Sequence, residues 1–137
     1  MSSSTVSRVP AIAGVKEASG DLVQIACIIT DAREGFHVWS GDDQMTLPIL
    51  AVGGYGVICV VSHLAGAQVR EMIEAFLAGR VEEAAGIHRR LLPLMTTLMT
   101  AASNPIPIKH ALNGCSYQNM CLEALWVLPP RASLLVK

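Results

Sequence analysis

Three polar groups in this 137-residue sequence stand directly after apolar runs: Lys16 after AIAGV, Ser40-Gly41-Asp42-Asp43 after FHVW, and Ser62-His63 after VICVV. A lysine amine can attack a carbonyl carbon and form an imine. It does so as the free base, which at the reference pKa is on the order of 1 molecule in 2,500 at pH 7. An apolar strand end favours that form by disfavouring the ammonium. The residues alone leave a second reading of Lys16, a strand-end charge that snorkels into water or pairs with Glu17 or Asp42. Asp42-Asp43 has two readings as well. Adjacent carboxylates can bind a metal or serve as acid and base, but after a strand they fit a helix cap with a dipole-favoured neighbour, and the cap is preferred. His63 is either a general base or an ordinary satisfied histidine. His37, His88 and His110 share no ligand spacing with it, so no metal site is expected. Gly53-Gly54-Tyr55-Gly56 precedes a strand, the wrong order for a phosphate-cradling loop.

The elements that must position these groups follow from periodicity. AIAGVK is a short buried-type strand, and Leu22, Ile25, Ala26 and Ile29 then repeat at helical spacing up to a polar exit and Gly35. FHVWS is a second strand. A helix carrying Met45, Leu47, Leu50 and Ala51 stops at Gly53-Gly54, and VICVVS (57–62) is a third strand, apolar and β-branched in the manner of a central parallel strand. A helix over about 65–77 follows, with Val69, Met72, Ile73, Phe76 and Leu77 on its inner stripe and Gly79 at its end. A longer one over about 81–101 carries Ile87, Leu91, Leu94, Met95 and Leu98, with Pro93 predicting a kink. IKHALNG closes the pattern as a last helix ending at Gly114; the segment beyond it has no regular period. Strand and helix repeated three times is the signature of an α/β fold with right-handed crossovers. In such folds the active groups gather at the carboxyl ends of the strands, so the three polar groups are expected to share one mouth. Three parallel strands make an incomplete sheet, with two edges that need cover.

Composition narrows the class. The sequence is 52% hydrophobic and 15% charged with a formal net charge of -1, and its ten Lys and Arg residues are scattered. That excludes a nucleic-acid footprint. The most apolar stretch, 45–61, is broken by Pro48, Gly53, Gly54 and Gly56, so no membrane span is expected, and MSSSTVSR has no apolar signal region; a cytoplasmic protein is expected. Cys27, Cys59, Cys115 and Cys121 form no CxxC pair and are expected to be free thiols, mostly buried. The organisation expected is a disordered segment at 1–8, three βα units at 9–79 and a helical region at 80–137.

GVKEASGDL, WSGDD, LPILAVGGYGVICVVSHLAG and NPIPIKHAL resemble, in order and spacing, the dihydrodipicolinate synthase family of pyruvate-dependent class I aldolases, over about residues 9–115. The pair SGDD and NPIPIK separates this branch from the sibling sialic-acid lyases. The resemblance implies a TIM (β/α)8 barrel of which this chain holds the last three units and the C-terminal helices. It implies that Lys16 forms the imine with pyruvate and that Gly41 and Ile58 line the pyruvate pocket, Ile58 mainly through its backbone. No cofactor is implied beyond the covalent lysine–pyruvate imine. His63 stands where the family usually has asparagine.

The family's threonine pair for the pyruvate carboxylate, its relay tyrosines and its arginine for the second substrate precede the lysine strand, and 15 residues precede Lys16. The expected parent reaction is condensation of pyruvate with aspartate semialdehyde in the diaminopimelate route to lysine, with the truncated chain inactive by itself. An N-terminal half-barrel or a homo-oligomer is the expected partner. Two other readings stay open: a non-catalytic half-barrel that serves as an interaction protein, and a pyruvate aldolase with another acceptor aldehyde.

Overall fold

Asp21 sets the first helix. Its backbone is extended, and its carboxylate accepts the Val23 and Gln24 amides at 3.0 Å each, so two of the donors that every helix start leaves unpaired are satisfied. The computed structural model describes residues 7–114 and 126–127. In chain order these form β1 (Gly14–Glu17), α1 (Leu22–Asp31), β2 (His37–Ser40), a 3-10 turn (Asp43–Met45), α2 (Thr46–Ala51), β3 (Gly56–Ile58), α3 (Ser62–Leu77), α4 (Val81–Thr100), α5 (Ile106–Gly114) and β4 (Trp126–Val127). Met1 to Val6 lie outside the described residues, as do Cys115, Tyr117, Cys121 and all of the final segment except Trp126 and Val127.

The sheet order is β1-β2-β3-β4. β1, β2 and β3 are parallel, with Lys16 opposite Trp39, Glu17 opposite Ser40, Trp39 opposite Gly56 and Ser40 opposite Val57. β4 adds an antiparallel pairing on the far side of β3. The expected need for cover is met at one edge: β3 has a neighbour on both sides, and the outer edge of β1 has none among the described residues.

Side-chain alternation divides the sheet into two faces. One face carries Val15, Val38, Ser40 and Val57 and packs on the helices. There, two apolar clusters form. Ile25, Ile28, Phe36, Val38 and Ile49 bury α1 and α2 against the sheet. Val57, Val69, Met72, Ile73, Ile87 and Met95 bury α3 and α4 against β3. Each such side chain, fully buried, contributes about 1.5–3 kcal/mol. Gly79, at φ 79°, allows the reversal between α3 and α4 that superimposes their stripes.

The end of β3 and the start of α3 differ from the sequence expectation. β3 ends at Ile58 rather than at residue 62, because the Val60 and Val61 amides are taken by the Asp43 carboxylate and cannot extend the ladder. Ser62 and His63 therefore open α3 instead of closing a strand. Ala65, at φ -132° and ψ 35°, interrupts that helix, so its regular part starts near the expected position. Pro93 lies inside α4 without dividing it, and its carbonyl accepts the Thr97 hydroxyl at 2.9 Å. Cys59 is buried, but Cys27 is exposed on α1, contrary to the expectation of buried thiols.

Candidate active site

The second face of the sheet carries Lys16, Trp39 and Gly56 in one row, with Gly14 and His37 below and Ile58 above. Lys16 is exposed, whereas Glu17, its neighbour in the strand, is buried on the helix-facing side. That alternation turns Glu17 away from Lys16 and removes it as an ion-pair partner. The Glu17 carboxylate accepts the Ser19 amide at 2.7 Å, the Asp42 carboxylate accepts the Gln44 amide at 3.0 Å, and Lys16 forms no ion pair among the described residues.

Lys16 and Gly41 are brought together. The Gly41 amide donates to the Glu17 carbonyl at 2.6 Å, tying the end of β2 to the end of β1. A Cβ added at Gly41 would stand 2.9 Å from both Cγ and Cε of Lys16, so the lysine stem lies across the glycine in space that a side chain there would occupy. Ile58, half-buried at the end of β3, lies on the same face above that row.

Asp42 and Asp43 divide their work. Asp42 caps the 3-10 turn, as the cap reading expects. Asp43 is buried and reaches across to the loop after β3, where its carboxylate accepts the Val61 amide at 2.7 Å and the Val60 amide at 3.1 and 3.2 Å. Burial pushes its carboxyl above the ordinary 3.8; the two amides and the Lys16 ammonium oppose that shift, while Asp42 adds to it. Asp43 is thus a clamp that holds two strand ends in register, a role that spacing alone did not indicate. No group of three or more His, Cys, Asp or Glu among the described residues is arranged to hold a metal ion.

His37, Trp39 and Tyr55 form an aromatic group at the lower part of this face. The His37 and Tyr55 rings are 3.9 Å apart between centroids, and Trp39 meets His37 at 5.6 Å and Tyr55 at 5.5 Å, both edge to face. Burial pushes His37 below the ordinary 6.5. The Trp39 Nε1 is buried without a hydrogen-bond partner. The period-two alternation of FHVWS was the signal that could have placed Trp39 beside Lys16. His63 lies half-buried in the first turn of α3.

The model of the dihydrodipicolinate synthetase family matches residues 2–127. The chain belongs to this family. A curated relative, the 4-hydroxy-tetrahydrodipicolinate synthase of Dehalococcoides mccartyi, is 54% identical over 113 residues, which is 82% of this chain and 38% of that protein. Among solved structures, dihydrodipicolinate synthase from Cyanidioschyzon merolae with lysine bound superposes with a TM-score of 0.77 at 43% identity, covering 81% of this chain and 38% of that one. The chloride-inhibited enzyme from Acinetobacter baumannii, complexed with pyruvate, superposes with a TM-score of 0.75 at 28% identity over 82% of this chain and 38% of that one. The fold is therefore that of these TIM barrels in part, and the chain spans about 38% of the length of each of these three relatives.

Proposed function

We propose that this chain supplies the imine-forming sector of a 4-hydroxy-tetrahydrodipicolinate synthase-like lyase, with Lys16 as the nucleophile and Gly41 and Ile58 beside the bound pyruvate. The Lys16 amine adds to the pyruvate carbonyl carbon and water leaves, giving a protonated imine. That imine withdraws electrons from the methyl carbon, which loses a proton; the resulting enamine attacks the aldehyde carbon of aspartate semialdehyde. No metal or organic cofactor is required by these steps.

The observation that carries the proposal is the lysine stem lying across Gly41 at the carboxyl end of a parallel strand. Membership in the family supports it, as does the pyruvate complex of the Acinetobacter baumannii relative. A barrel of this class closes with eight parallel strands, and three are described here. Full turnover belongs to the closed barrel, and the chain by itself is expected to condense pyruvate with the aldehyde slowly or not at all, because positioning and proton transfer each contribute orders of magnitude.

Borohydride reduction in the presence of pyruvate, followed by peptide mass spectrometry, tests the assignment. The expected result is a reduced pyruvate adduct on Lys16 that is absent in Lys16→Arg. The absence of an adduct on Lys16, in the chain alone and in the presence of the remaining barrel strands, overturns it. Among the described residues no helix is long and apolar enough to cross a membrane.

A further inference from the structure

β3 has parallel β2 on one edge and antiparallel β4 on the other, with Val57 opposite Val127 and Ile58 opposite Trp126. In a closed parallel barrel every strand has a parallel neighbour on each edge. The edge of β3 that β4 holds is therefore the edge a closing strand needs, and a strand edge takes one ladder at a time. A single strand carrying both Ile58 and the closing edge also links this pairing to the face that carries Lys16.

We propose that β4 is an intramolecular edge guard, which pairs with β3 until a parallel strand from the rest of a dihydrodipicolinate synthase barrel displaces it. The occupant follows from three observations. The chain spans 38% of its relatives' length, so the family architecture calls for further strands. β1 keeps an open outer edge among the described residues, so the incoming piece has a second docking line on the same sheet. β4 is two residues long, a ladder short enough to be exchanged for a full parallel strand. An uncovered apolar edge invites pairing with other chains, and the guard removes that hazard while the barrel is open.

The inference rests on membership in the barrel family and not on the imine chemistry of Lys16, and its test uses no pyruvate, so the two can fail separately. The chain and its Trp126→Pro/Val127→Pro variant are compared, since proline cannot donate to a ladder. Each is followed by amide hydrogen exchange across 56–58. Each is also co-expressed with the part of the 54%-identical relative that lies outside the 113 matched residues, and the amount co-purified is measured. In the variant, exchange in β3 is expected to be about tenfold faster and capture of the complementary piece about tenfold greater. Unchanged exchange, or equal capture by both chains, or capture by neither, overturns the proposal. Should the double-proline chain lose its helical circular dichroism, a chain ending at Gly114 is put through the same two measurements, with the same outcomes deciding.

Discussion

Gly41→Ala is expected to slow imine formation at Lys16 while leaving the fold in place. The new Cβ would lie 2.9 Å from Lys16 Cγ and Cε and 3.1 Å from the Ala18 Cβ. Carbons in ordinary contact stand about 3.5–4.0 Å apart, so the lysine stem has to retreat by about 0.6–1 Å. Gly41 is not among the glycines at positive φ, so alanine meets no backbone strain there. The stem is exposed and makes no ion pair among the described residues, so its retreat is expected to change stability by less than about 1 kcal/mol. A misplacement of about 1 Å in a reacting group costs about a hundredfold in rate, which sets the expected loss in adduct formation at about ten- to a hundredfold. The assay is a time course of borohydride-trapped pyruvate adduct by intact mass, paired with a thermal melt of the same samples. An unchanged trapping rate refutes the working contact between Lys16 and Gly41; a melt lowered by many degrees would mean that Gly41 is there for the fold.

Asp43→Ala strips the Val60 and Val61 amides of their acceptor and is expected to destabilise the chain by about 2–5 kcal/mol in urea unfolding, with Asp43→Asn recovering part of it. Burial lowers His37, and burial together with the Arg89 charge lowers His88, so both histidines contribute stability that is present above their ordinary 6.5 and lost as pH falls through their depressed folded values. The urea midpoint is expected to fall as pH is lowered past the ordinary 6.5, and a His37→Gln/His88→Gln chain to show a flatter profile. Asp43 has the opposite sign: its raised carboxyl stabilises the fold below the ordinary 3.8 and loses that contribution as pH rises through the folded value, so Asp43→Asn gains on the parent chain toward neutral pH. In Gly14→Ala the added Cβ meets the His37 backbone carbonyl and the Trp39 ring, which breaks the pairing of β1 with β2; a loss of about 1–3 kcal/mol or more is expected in thermal melts.

The helical stripes were legible for the most part because they depend on local spacing: Val69, Met72 and Ile73 on α3, and Ile87, Leu91, Met95 and Leu98 on α4, are buried as their period indicates, whereas Leu77 at the end of α3 is exposed. The end of β3 was not, because Val60 and Val61 read as strand residues whose amides are claimed by a carboxylate 17 or 18 positions earlier. No window along the sequence contains that competition. The position of Lys16 was legible from strand-end logic and its exclusion of Glu17 as a partner follows from alternation, but its contact with Gly41 depends on register between two strands. β4 escaped because a two-residue ladder carries no periodicity of its own.

The lysine content supplies an internal standard for what the open barrel contributes. Lys109 is an exposed lysine on the helix α5 and not at a strand end, so its trapping rate measures an ordinary protein amine. Lys16 is exposed too, but its stem is set against Gly41, and the buried Asp43 holds the neighbouring strand ends in place. If fixing the stem is itself useful, Lys16 outpaces Lys109 in the chain alone, and Gly41→Ala erases that advantage. Enclosure is a separate contribution: excluding water around the reacting amine strengthens every polar interaction in the site, and it arrives only when further strands cover the open side of the Lys16 row. Closure should therefore raise the rate at Lys16 again and leave Lys109 unchanged. Equal rates at the two lysines in the chain alone would assign the whole effect to enclosure and leave the Gly41 contact with no share in it.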